Sequence, residues 1–75
     1  MPTLRDLRED ALMTQVEFAR ACNVSPSTVS EWENGRVVPS IKNRRKLVEV
    51  LGKTPKEVRE AIQATAEAAK KCAAA

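Results

Sequence analysis

The reading of this chain turns on residues 14–36, TQVEFARACNVSPSTVSEWENGR. Two helix-start signals stand eleven positions apart in it, at Thr14 and Ser25, with Asn23 between them and Asn34-Gly35 at the end. Thr14-Gln-Val-Glu17 has the spacing of a capping box. Its Thr hydroxyl takes the Glu17 amide, while the Glu carboxylate returns to the Thr amide. The helix it opens is expected to bury Val16 or Phe18, together with Ala19 and Cys22. Asn23 follows where that helix must stop, and Asn tolerates left-handed backbone better than most residues. Ser25 then serves as N-cap, and Pro26 takes the first helical position, where a missing amide costs nothing. Val29 and Trp32, three apart, point inward, and Asn34-Gly35 closes the segment. Two short helices joined by a turn of three to four residues cross steeply, as in a helix-turn-helix. Ala19 is small enough to let their backbones approach. From spacing alone, a generic corner of a helical bundle is the competing reading.

Further helices follow on either side. Pro2 and Thr3 precede Leu4, Leu7, Ala11 and Leu12, which gives a first helix over roughly 3–11. Ser40 caps a fourth helix carrying Ile41, Leu47, Val48 and Leu51, and Gly52 stops it. Thr54-Pro-Lys-Glu57 repeats the capping-box logic and opens a fifth helix that can run to Lys71. No stretch alternates with period two for long enough to suggest a sheet. The expectation is an all-α, five-helix single domain over residues 1–75, with the helix-turn-helix at about 14–34 and an extended C-terminal helix.

Composition narrows the function. Chains of this size bury only about 60% of their unfolded surface. With one Trp, one Phe and no Tyr, the core must come from Leu, Val and Ile. The net charge is only +3, but its distribution is uneven. Arg36, Lys42, Arg44, Arg45 and Lys46 follow one another with no acid between them, a run expected to face an anionic surface. Cys22 and Cys72 make no disulfide framework. Cys22 lies in an apolar helical pattern, whereas Cys72 is expected to be exposed in the Lys- and Ala-rich tail. With no His, histidine-based metal sites, triads and pH switches are excluded. No nucleophile–base pair, glycine-rich phosphate loop or metal spacing appears, so no enzyme and no cofactor is expected. The N-terminus lacks a signal-like apolar run and no stretch reaches membrane-spanning length, which points to a reduced cytoplasm.

Taken in order, Leu4-x-x-Leu7-Arg8, Thr14-Gln15-x-x-Phe18-Ala19, Val24-Ser25-x-x-Thr28-Val29-x-x-Trp32-Glu33-Asn34-Gly35, Pro39-Ser40 and Leu51-Gly52 closely resemble the helix-turn-helix family of lambda repressor and Cro. The resemblance covers about residues 4–58. It implies that the helix starting at Ser25 lies in the major groove, its N-terminal residues on base edges, while the preceding helix crosses the backbone. The family's base-reading positions fall on Pro26, Ser27, Thr28 and Glu31. Pro26 offers only apolar contact, Ser27 can donate or accept, and Glu31 either accepts from cytosine N4 or stands idle in solvent. Phosphate contacts fall on Gln15, Ser25, Asn34, Arg36 and Lys42. Arg44 stands where the family usually has an apolar residue, and it either reaches a phosphate or pairs with an acid. Leu12 and Asn23 each replace a common Gly. At Asn23 the tolerance for left-handed backbone is kept, but at Leu12 the corner is expected to take a different shape. Arg8 and Glu33 match a pair that bridges the first and third helices in the family.

The resemblance therefore implies a transcriptional regulator of bacterial or phage type that binds double-stranded DNA, in the first place a repressor. One helix-turn-helix covers few base pairs, so a homodimer on a two-fold symmetric operator is expected, with half-sites about 34–36 Å apart. Neither membrane nor small-molecule partner is evident. Val58, Ile62, Thr65, Ala69 and Cys72 step by four, three, four and three, a heptad seam that either contacts a second copy or docks on the domain's own core. The alternative function is an interaction module, such as an antitoxin or a coactivator-like adaptor, using that fifth helix.

Overall fold

Every helix of the domain begins at a hydroxyl. In the computed structural model, which describes residues 2–74 and the side chains of 2–70, α1 spans Leu4–Asp10, α2 Gln15–Cys22, α3 Pro26–Glu33, α4 Ile41–Leu51 and α5 Pro55–Ala74. Thr3, Thr14, Ser25 and Ser40 sit in extended backbone before the first four, each accepting from an amide three residues on. Thr54 accepts the Glu57 amide in the same way. Full capping boxes form at Thr3/Asp6 and Thr14/Glu17. These bonds satisfy donors that a helix start otherwise leaves open.

The first three helices also end alike. At Leu12, Asn23 and Gly35 the backbone turns left-handed, with φ of 58°, 57° and 72°. The next amide then returns to a carbonyl five residues back: Met13 to Arg8, Val24 to Ala19, Arg36 to Glu31. That is the Schellman closure, and Gly is its natural residue. Gly35 obeys the rule and Asn23 bends it. Leu12 breaks it, since a branched side chain in left-handed backbone costs roughly 1–2 kcal/mol. The expectation of a differently shaped corner is therefore corrected. Leu12 keeps the geometry a glycine would give and carries the strain.

Leu4, Leu7, Phe18, Ala19, Cys22, Val29, Trp32, Leu47, Leu51, Val58, Ala61 and Ile62 form one continuous core, to which all five helices contribute. α2 and α3 share the most extensive contact, α4 packs between α2 and α5, and α1 lies against α3 and α5. The choice left open between Val16 and Phe18 falls to Phe18, and Val16 is exposed. Three other expected stripe members are corrected. Ala11 and Leu12 lie beyond the last turn of α1 and face solvent. Ile41, at the first position of α4, is 69% exposed because the buried stripe begins only at Leu47.

The fifth helix brings the largest correction. Val58, Ile62 and Thr65, expected at a dimer contact, are buried in the domain's own core. Ala69 lies against Gly35, where an added Cβ would stand 2.6 Å from that of Ala69. Thr65 Oγ1 donates to the Ala61 carbonyl (2.8 Å) and accepts the Leu4 amide (3.0 Å), tying α5 to the start of α1. Of the two uses open to the seam, the structure takes the internal one. α5 also runs past Lys71 to Ala74, and the side chain of Cys72 lies outside the described residues.

Candidate nucleic-acid interface

Helix α3 is held from below and left open above. Val29 and Trp32 anchor it in the core, while Pro26, Ser27 and Glu31 are exposed. Ser27 and Glu31 are four apart and therefore share a helix face. Thr28 is half-buried at the edge of that face. Ser25 Oγ accepts the Thr28 amide at 3.2 Å and lies 2.9 Å from Thr28 Oγ1. The two hydroxyls thus form a unit at the helix start, with one hydroxyl proton left over for an outside acceptor.

A buried ion pair sets the attitude of α3. Arg8 Nε donates to Glu33 Oε2 at 2.6 Å, with a second bond from Nη2 to Oε1 at 3.3 Å. Arg8 Nη1 donates to the Met13 carbonyl at 2.8 Å. The two side chains are 9% and 5% exposed. The hydrogen bond to Glu33 raises the Arg8 pKa against the opposing effect of burial, so the guanidinium stays charged. The planar fork suits this task, because two parallel bonds fix orientation as well as distance. α1, the α1–α2 corner and the end of α3 are thereby locked together.

Gln15 joins the same network, which its residue type did not reveal. Its Nε2 donates to Glu33 Oε1 at 3.0 Å. A primary amide has two N–H groups, so one remains for an anion. The Gln15 and Val16 main-chain amides open the first turn of α2, where no intrahelical partner exists and the dipole end is positive. The start of α2 is therefore an anion-favouring spot with a pinned side-chain donor beside it. Here Glu17 is occupied with capping, and its pKa is lowered by the Thr14 amide and hydroxyl.

On the far side of α3, Asn34 and Arg36 are exposed on the loop that Gly35 turns. Asn34 Nδ2 donates to Ser30 Oγ at 3.3 Å. Lys42 is exposed in the first turn of α4, after the Ser40 cap. Among the described residues, neither Arg36 nor Lys42 is in an ion pair.

The basic run does not act as one surface. Arg44 Nε donates to the Pro39 carbonyl at 3.1 Å and braces the α3–α4 loop, and among the described residues Arg44 is in no ion pair. Arg44 and Arg45 line a groove between α4 and α5, while Lys46 lies near enough to Cys22 to act on it. Cys22 is fully buried, and burial pushes its thiol pKa up, with Lys46 opposing. No cluster of three or more potential metal-binding side chains occurs among the described residues. No helix of the described residues is long and apolar enough to cross a membrane.

Comparison with known families matches residues 4–58 to the helix-turn-helix family model, which ends at the first turn of α5. Neither among curated proteins nor among solved structures does the chain have a match. The matched span contains the Ser25-capped helix, the Arg8–Glu33 lock and the phosphate candidates on both flanks of α3. The chain belongs to the helix-turn-helix family of lambda-repressor type, a family of DNA-binding regulators.

Proposed function

We propose that this domain is a sequence-specific repressor that binds double-stranded DNA with the start of α3 in the major groove. The observation that carries the reading is the asymmetry of α3. Val29, Trp32 and the Arg8–Glu33 pair hold one side, and Pro26, Ser27 and Glu31 stand clear on the other. In this reading Ser27, Thr28 and Glu31 meet base edges and Pro26 packs on a thymine methyl. Gln15 and Ser25 grip one phosphate strand, and Asn34, Arg36 and Lys42 grip the other. Repression follows from occupancy, since a domain seated on its operator denies that stretch to other proteins.

The operator complex in this reading is a homodimer on a two-fold symmetric site. Because α5 spends Val58, Ile62 and Thr65 on its own core, the contact between copies draws on another face. Exposed Val37 and Val38, next to Arg36 in the α3–α4 loop, support a pairing made beside the phosphate grip. An adaptor function along the α5 seam loses its surface for the same reason.

Selection of bound sequences from a random pool of duplex DNA tests the proposal. Enrichment of an inverted repeat with half-sites about 34–36 Å apart is expected. A pool that stays unenriched at low and moderate salt would refute sequence-specific binding.

A further inference from the structure

Leu12 is anomalous twice over. It adopts left-handed backbone at φ 58°, and it is 89% exposed. Leu12 buries nothing in the domain's own core, and strained backbone clusters at functional sites. Acidic groups stand just before it: Glu9, loosely paired with Arg5 at 3.7 Å, and Asp10, which is in no ion pair among the described residues. Exposed Val16 follows in the first turn of α2. The α1–α2 corner therefore presents an apolar knob with acidic shoulders.

The opposite chemistry occurs elsewhere on the same chain. Between α4 and α5 runs an open groove of about 440 Å³. Val58 is buried at its base, Val48 is half-buried, and Ile41 stands exposed at its edge. Arg44, Arg45 and Arg59 line it against a single acid, Glu49. Residues of α3 take no part in it, so the recognition face does not account for these charges.

We infer that the α1–α2 corner of one copy docks in the α4–α5 groove of a second copy, with Leu12 on the apolar floor and Asp10 among the arginines. The contact joins two different surfaces, so it links chains head to tail, into a ring where the rotation closes and an open string where it does not. It requires no DNA, and its failure would leave the operator reading untouched. On DNA the same contact would link neighbouring domains, because tethering raises their effective concentration.

Sedimentation equilibrium of the full chain, without DNA and up to about 1 mM, reads this contact in the range a small interface requires. The mean mass of the parent is expected to climb past two chains. Asp10→Arg places a cation at the C-terminal end of α1, which favours the helix, and Arg59→Glu alters an exposed position, so both variants fold. Each alone is expected to weaken association by about tenfold or more. An equimolar mixture of the two regains association, because it reunites an intact corner with an intact groove. Leu12→Gly relieves the strain, keeps the helical circular dichroism and abolishes association. A parent that stays a single chain at every concentration overturns the inference. So do single variants that associate as the parent does, or a mixture no better than its components.

Discussion

Removing Arg8 tests whether the recognition helix is held by a buried charge pair. Arg8→Met keeps most of the aliphatic stem but deletes two bonds to Glu33 and one to the Met13 carbonyl. The Glu33 carboxylate, 5% exposed, is then left with one amide donor from Gln15. Stranding a buried charge in this way costs about 3–5 kcal/mol. For a domain of this size each kcal/mol moves the midpoint by roughly 4–8 °C, so a loss of more than about 12 °C is expected. Glu33→Leu should cost a similar amount by stranding the guanidinium. The double variant Arg8→Met/Glu33→Leu strands no charge, although the Met13 carbonyl and the Gln15 amide each lose a partner, and replacing both partners of a buried pair is often close to neutral. It should therefore be more stable than either single variant. Urea unfolding of the four proteins, followed by circular dichroism, completes the cycle. A double variant whose loss equals the sum of the single losses would refute the coupling. A loss under about 1 kcal/mol for Arg8→Met would place the pair with ordinary surface bridges.

Leu12→Gly should stabilise the domain by about 0.5–1 kcal/mol in urea unfolding, because relief of left-handed strain exceeds glycine's extra unfolded-state freedom; a loss would mean the corner relies on the leucine. Thr65→Val should cost about 1–3 kcal/mol by leaving the Leu4 amide without its partner. Gly35→Ala should also destabilise, through its positive φ and the approach of Ala69, and Tm values would show both effects. Cys22, buried and with its thiol pKa raised, should resist alkylation at neutral pH until the domain unfolds, as peptide mapping by mass spectrometry would reveal.

What the sequence makes legible here is local chemistry. Hydroxyl caps at Thr14, Ser25, Ser40 and Thr54, the Pro at the first turn of α3 and the stops at Asn23 and Gly52 act within a few residues, and they mark where helices begin and end. Leu12 is the exception, since a residue type that disfavours left-handed backbone gives no sign of adopting it. The α5 seam shows the limit of periodicity. A stripe at Val58, Ile62 and Thr65 says that one face is buried, but not whether its own domain or a second copy buries it. The basic run shows another limit: successive residues on a helix rotate by about 100°, so neighbours in sequence fan out to different surfaces. Lys42 and Arg44, two apart on α4, accordingly meet solvent and a loop carbonyl. Gln15 was legible as a helix-start residue. Its bond to Glu33 depends on how α2 and α3 cross, which no local pattern encodes.

The most direct test of the central claim is base preference, measured with the operator obtained by selection and a set of its single-base variants. Binding of the parent, Ser27→Ala, Glu31→Ala and Arg36→Ala is compared across that set at several salt concentrations. Ser27→Ala and Glu31→Ala should each flatten the preference at one or two base pairs, by about 1–3 kcal/mol for a strong contact. Arg36→Ala should weaken all sequences alike and lower the salt dependence by about one phosphate contact. If the Ser27 and Glu31 variants keep every preference of the parent, the exposed face of α3 is not what reads the DNA.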